Sequence, residues 1–174
     1  MQFDAMKLDT VYFYTSTILK WKHLLENDEY KNFIISSLKH LVDTNKICVY
    51  GFVIMPNHIH LLWKMKELNG KESPHASFAK FTGHQFLEKL RIENPSFLEE
   101  FFMDSSTRKH HFWQRNSLPF EINSEKTFMQ KLNYIHNNPL QDHWKLTDVP
   151  ENYKYSSAKF YSTNFDEFGI LSHW

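Results

Sequence analysis

His58 and His60 flank a single isoleucine in the run "FVIMPNHIHLLWK". Imidazole is the commonest side-chain metal ligand. On a β-strand, residues i and i+2 project to the same face about 6.5–7 Å apart. The two histidines therefore supply two thirds of a three-ligand metal site, while Ile59, Leu61 and Trp63 line the opposite face. The pair alone does not decide the matter. With 11 histidines in 174 residues, a His-x-His arrises by chance roughly 0.7 times, and a pair of solvated surface histidines is the competing reading.

A second segment, "KLNYIHNNP", carries Tyr134, a tyrosine off the apolar stripe of its helix. Phe128, Leu132 and Ile135 form that stripe, and Tyr134 lies about 120° round from Phe128. Asn138, four residues on, shares the face of Tyr134, and Lys131 lies on the same flank. An amphipathic tyrosine at the core edge is the plain alternative. His136 falls about 200° away from Tyr134 and is expected to pack or cap rather than join it.

These residues need elements to hold them. "TVYFYTSTI" is β-branched and aromatic, which predicts a strand. "ENDEYKNFIISSLKHLVDTN" predicts a helix with Phe33, Ile34, Leu38, Leu41 and Val42 inward. "KICVYGFVIM" and "HIHLLWKM" predict two strands joined through "PN" as an antiparallel hairpin. "SPHASFAKFTGHQFLEKLRIENP" predicts a helix burying Phe78, Phe81, Phe86, Leu87 and Leu90, with Gly83 weakening it. "HHFWQRN" and "LPFEI" are short strand candidates. "SEKTFMQKLNYIHN" predicts a helix capped by Ser124 and stopped at Pro139, and the tail predicts a turn and a short helix. The order β-α-β-β-α-β-α points to an α+β sandwich of ferredoxin-like type, one antiparallel sheet with helices packed on it and the His-hydrophobic-His on a central strand. No boundary divides residues 1–174, so a single domain is expected.

Hydrophobic residues make up 41% and aromatics 17%, enough for a real core. One cysteine, Cys48, excludes an intramolecular disulfide, and neither a signal peptide nor a membrane-length apolar run is present, so a cytoplasmic protein is expected. The net charge of +0 counts against a strongly basic nucleic-acid binder. Charge is uneven, however: "SSTRKHHFWQRNS" holds Arg108, Lys109 and Arg115 with no acid, interleaved with Phe112 and Trp113. Arg108, Lys109, Arg115 and Lys131 are candidate phosphate contacts. Trp113 is a candidate base-stacking residue, with strand core the plainer reading for it and for Phe112.

Taken together, "MPNHIHLLWK", "FWQRNSLPFEI…QKLNYIHNNP" and "YKYSSAKFY" resemble the tyrosine transposases of the IS200/IS605 class. The branch associated with repetitive extragenic palindromes (REPs) is the more similar. The resemblance spans about residues 11–161. It implies that His58, His60 and Asn138 hold Mg²⁺ or Mn²⁺ and that Tyr134 is the nucleophile on single-stranded DNA with hairpin structure, leaving a 5′-phosphotyrosine. It allows a monomer or a homodimer. The segment "LQDHW" departs from the family pattern. Two other readings compete. A hairpin-binding module without catalysis would lack part of this residue set, and a metal hydrolase would need a carboxylate beside the histidines.

Overall fold

The computed structural model describes residues 6–103, 110–115, 117 and 119–174. Arg108 and Lys109 lie outside the described residues. Four strands, β1 (Val11–Thr17), β2 (Ile47–Ile54), β3 (His58–Met65) and β4 (Phe120–Glu121), form one sheet in the order β2-β3-β1-β4, with every neighbouring pair antiparallel. Helix α1 (Asp28–Asp43) connects β1 to β2, and α2 (Pro74–Glu93) with the short α3 (Pro95–Glu99) leads from β3 towards β4. Helices α4 (Glu125–Asn137) and α5 (Ala158–Thr163) follow. This is the split β-α-β arrangement expected of a ferredoxin-like sandwich.

Side-chain alternation divides the sheet into two faces. Tyr12, Tyr14, Ile59, Leu61 and Trp63 point into a core shared with Ile34, Leu38 and Leu41 of α1 and with Phe78, Phe86 and Leu90 of α2. Phe13, Val53 and Leu62 point to the other face, where α4 lays down Phe128, Leu132 and Ile135. The expected apolar stripe of α4 is thus its packing face, and Ser124 caps it by accepting from Thr127 N. Asn138 keeps helical angles (φ −58°, ψ −44°) although a proline follows, so it stays one turn beyond Tyr134 on the same flank.

The connection between β2 and β3 is short because Met55 N donates to His58 O (2.8 Å). Across β2 the tail completes the sheet edge: Ile54 N donates to Tyr155 O and Ser157 N to Phe52 O, each at 2.9 Å. That covers a strand whose unpaired groups would otherwise face solvent.

Four expectations differ from what forms. Phe81 is 41% exposed, because a helix spanning 20 residues has only one face on the sheet and Phe81 falls beside it. The segment "HHFWQRN" makes isolated bridges (Phe102 with His110, Ile18 with Trp113) instead of a strand, and "LPFEI" contributes only the two residues of β4. Gly83 does not interrupt α2.

Gly51 lies where α4 passes closest to the sheet, beside a bulge at Tyr50. A Cβ there would meet Leu132 Cδ1 at 2.8 Å, whereas one at Gly83 would meet only Phe112 Cδ2 at 3.9 Å. Gly51→Ala is expected to destabilise the fold by about 1–3 kcal/mol through overpacking, and Gly83→Ala to stabilise it by up to about 1 kcal/mol through helix propensity. Urea denaturation of the two variants checks both signs.

Candidate active site

The register of β3 sets the histidines. His58 pairs with Thr17 and His60 with Thr15 on β1, and both imidazoles project from the face that α4 covers. Their ring centroids are 4.8 Å apart. Helix α4 lies on the sheet of its own chain, bringing the Tyr134 ring to 5.3 Å from the His60 ring while leaving Tyr134 45% exposed. Phe13 stacks on His60 at 5.2 Å and meets the edge of Tyr134 at 6.0 Å. Asn138 is buried, with its side-chain amide against His58. The four residues singled out by type and spacing therefore converge within one chain.

Hydrogen bonds orient both histidines. Asn57 Nδ2 donates to Trp21 O at 3.2 Å. A carbonyl only accepts, so the other end of the amide, Oδ1, is the atom 2.7 Å from His58 Nδ1. His58 Nδ1 must then carry the proton, and Nε2 keeps its lone pair. His60 Nδ1 lies 2.7 Å from Thr15 Oγ1, and His60 Nε2 is buried without a hydrogen-bond partner, as is Asn138 Oδ1. Buried acceptors are rarely left unpaired, because desolvation without compensation is costly. A second shell that pins one ring nitrogen and frees the other is the usual preparation of a metal-binding histidine. The donor set thus fits a divalent cation. Among the described residues, no three histidine, cysteine or acidic side chains form a metal-binding group. A metal hydrolase with a carboxylate ligand accordingly finds no support in this cluster.

The electrostatics keep the pair neutral. Burial pushes the His58 pKa down to about 4; the Asn138 side chain opposes this, and His143 lowers it further. Burial pushes His60 down to about 3, with the charges of His58 and Lys131 adding to the effect. Neutral imidazole is the ligating form. Lys131 Nζ stands 4.7 Å from the Phe13 ring centroid and 5.0 Å from that of Phe120, which puts a cation beside Tyr134.

The remaining candidates are spread more widely. Arg115 is exposed, with Nη2 3.4 Å from His111 Nε2. It follows Gln114, whose N–H donates to Thr17 O at 2.8 Å, at the end of the sheet where β3 begins. Trp113 packs on Phe78 and Phe86, each at 5.8 Å, and donates Nε1–H to Thr82 Oγ1 at 2.9 Å. Phe112 is buried against Phe86 and Phe101. Both follow the core reading of these residues. His136 turns away from the cluster, its Nε2 2.9 Å from Ser157 Oγ, and burial lowers its pKa to about 4 against the pull of Glu151.

The structure also brings in residues that spacing did not single out. Trp144, from "LQDHW", approaches His58 at 6.0 Å and His23 at 5.7 Å. Thr15 and Asn57 hold the histidines. Lys20 (φ 57°) and Trp21 (φ 54°) are consecutive left-handed residues beside Asn57, a conformation that costs roughly 1–3 kcal/mol per non-glycine residue. The only advance signal was the "PN" preceding His58, which also served as a simple turn.

With this geometry established, the chain can be set against known proteins. No protein-family model and no curated protein matches it. Among solved structures it is similar to a REP-associated tyrosine transposase bound to a REP hairpin. The two share 15% identity over 98% of this chain and 89% of that one, with a TM-score of 0.61. The likeness is one of fold. It extends along nearly the whole chain, so the ferredoxin-like sheet and the helices packed on it form one shared architecture. Among the described residues, no helix is long and apolar enough to cross a membrane.

The buried histidines set a pH dependence. His58, His60 and His136, with His75 whose pKa burial also lowers, resist protons in the fold but accept them in the unfolded chain near pH 6.5. Above that value neither state is protonated and stability is level. As pH falls below it the unfolded state gains protons first, so stability declines until the folded pKa values are reached. The urea midpoint of the metal-free protein is expected to be flat from pH 8 to 7 and to drop from pH 6.5 to 5. A midpoint unchanged at pH 5 would contradict the assigned burial.

Proposed function

We propose that this protein is a metal-dependent, tyrosine-nucleophile endonuclease and strand transferase acting on single-stranded DNA with hairpin structure, related to the REP-associated branch of the tyrosine transposases. One observation carries the reading. A tyrosine nearly half exposed lies against buried His60, whose Nε2 has no hydrogen-bond partner, and the buried Asn138 side chain lies against the neighbouring His58. Polar atoms left unpaired beside an exposed tyrosine suit a site that receives a cation and a phosphate. The fold shared with a hairpin-bound transposase agrees with it.

His58 Nε2, His60 Nε2 and Asn138 Oδ1 would hold Mg²⁺ or Mn²⁺, the latter suiting two nitrogen ligands better. The bound ion supplies Lewis-acid polarisation of the scissile phosphate and favours the phenolate. Tyr134 Oη attacks phosphorus, the P–O3′ bond breaks, and a 5′-phosphotyrosine and a free 3′-hydroxyl result. The phenol proton leaves to solvent, which reaches the half-exposed ring, and the 3′ oxygen takes up a proton from solvent in turn. Because the phosphodiester energy is retained in the protein–DNA bond, attack by another 3′-hydroxyl rejoins strands without ATP. Lys131 and Arg115 provide cationic contacts for the backbone, and Arg108 and Lys109 extend the basic run in sequence. A soluble, cytoplasmic protein acting as monomer or homodimer is consistent with this role.

Two measurements test the reading. Protein incubated with Mn²⁺ and labelled single-stranded oligonucleotides from the DNA flanking its gene should give a covalent band on a denaturing gel. The band should be absent from Tyr134→Phe and from His58→Ala. Survival of the band in Tyr134→Phe would place the nucleophile elsewhere, and hairpin binding with no band in any lane would favour a module that only binds. Thr15→Val, which removes the partner of His60 Nδ1, should weaken Mn²⁺ binding about 10–100-fold by calorimetry while the protein stays folded.

A further inference from the structure

We propose that Trp21 is a stacking platform for one unpaired nucleobase beside the scissile phosphate, flanked by Lys20 as a backbone contact. The assignment rests on the single-stranded DNA reading above. Trp21 is 65% exposed, more than any other aromatic residue described. An exposed indole adds nothing to the core, yet this one sits on a strained, hydrogen-bonded backbone. Lys20 (φ 57°, ψ 27°) and Trp21 (φ 54°) are both left-handed, where glycine is the ordinary choice. The strain is held in place from several sides. Trp21 N donates to Ile18 O at 2.9 Å, Ile18 N to Asn57 O at 2.8 Å, and Leu25 N to Pro56 O at 2.9 Å. Lys22 is paired with Glu100, which leaves Lys20, exposed in sequence next to the indole, as the cation of this loop.

The Trp21 backbone is joined to the candidate site. Its carbonyl accepts from Asn57 Nδ2, and the oxygen of the same amide orients His58. One amide group therefore separates the Trp21 backbone from a metal-binding imidazole. Proteins that bind single strands without reading duplex grooves combine cations along the backbone with aromatic faces for the bases. A pre-ordered aromatic loses little freedom when a base stacks on it, which is the advantage a strained, strapped loop provides. A protein partner or a second copy would need an apolar surround. Lys20 and Trp21 instead offer one flat ring next to one charge.

An abasic-site scan tests the assignment. Fluorescence anisotropy would follow one flanking-DNA oligonucleotide that binds the wild-type protein, with each nucleotide near the cleavage site replaced in turn by an abasic residue. Trp21→Ala should weaken binding of the intact strand about tenfold, and Trp21→Phe much less. A single abasic position should weaken wild-type binding by a similar factor and have no further effect on Trp21→Ala. Circular dichroism of the exposed-site variant checks folding. Equal affinity of wild type and Trp21→Ala, or an abasic profile unchanged in the variant, overturns the assignment and leaves the nuclease reading intact. A change in sedimentation with DNA affinity unaltered assigns Trp21 to a contact between copies and also overturns it. Failure of the wild-type protein to bind any single strand overturns the nuclease reading and this assignment together.

Discussion

The docking of α4 onto the second face of the sheet is the interaction on which the candidate site depends. Phe128, Leu132 and Ile135 pack with Tyr50, Val53 and Leu62, each buried apolar side chain worth roughly 1.5–3 kcal/mol. Without this helix His58 and His60 would be two surface histidines on an open sheet, hydrated and with ordinary basicity. With it they become partly desolvated, neutral and adjacent to a tyrosine. One apolar contact thus sets the protonation state of both histidines and the position of Tyr134 together. Gly51 lets the helix come close enough to do so.

The same packing carries a cost that the surrounding hydrogen bonds offset only in part. Asn57 and Thr15 each satisfy one nitrogen of a histidine, and His136 is absorbed by Ser157, which also bonds the backbone of Phe52. The polar atoms left without a partner in this cluster are His60 Nε2 and Asn138 Oδ1. An unpaired buried acceptor is destabilising in the isolated protein.

Much of this arrangement was legible because it follows from period. Alternation along β3 separated the histidines from Ile59, Leu61 and Trp63, and the 3.6-residue period of α4 separated Tyr134 and Asn138 from the packing stripe. Local chemistry also gave the Ser124 cap. Contacts between segments distant in sequence were not legible. Nothing near Trp21 announces that its carbonyl will meet Asn57, and nothing in "LQDHW" places Trp144 against His58. Phe81 has the right type and spacing to be buried, but it lies in a groove shared with Ser37, His40 and Leu41 of α1 and stays part-exposed. Trp113 and Phe112 could stack on a base or on α2. Only the position of Thr82 and Phe86 separates the two.

Roughly seventy residues separate the histidine pair from Tyr134, and this has a consequence for how the protein is made. The β2–β3 hairpin is local and can form early on the ribosome, whereas α4 emerges much later and closes a long loop when it docks. During that interval Phe13, Val53 and Leu62 face solvent and the histidines remain apart from any nucleophile. A chain that stops short of α4 therefore exposes an apolar sheet face and lacks Tyr134 beside His60. The cluster of His58, His60, Tyr134 and Asn138 therefore comes into existence only once α4 has been made and has docked.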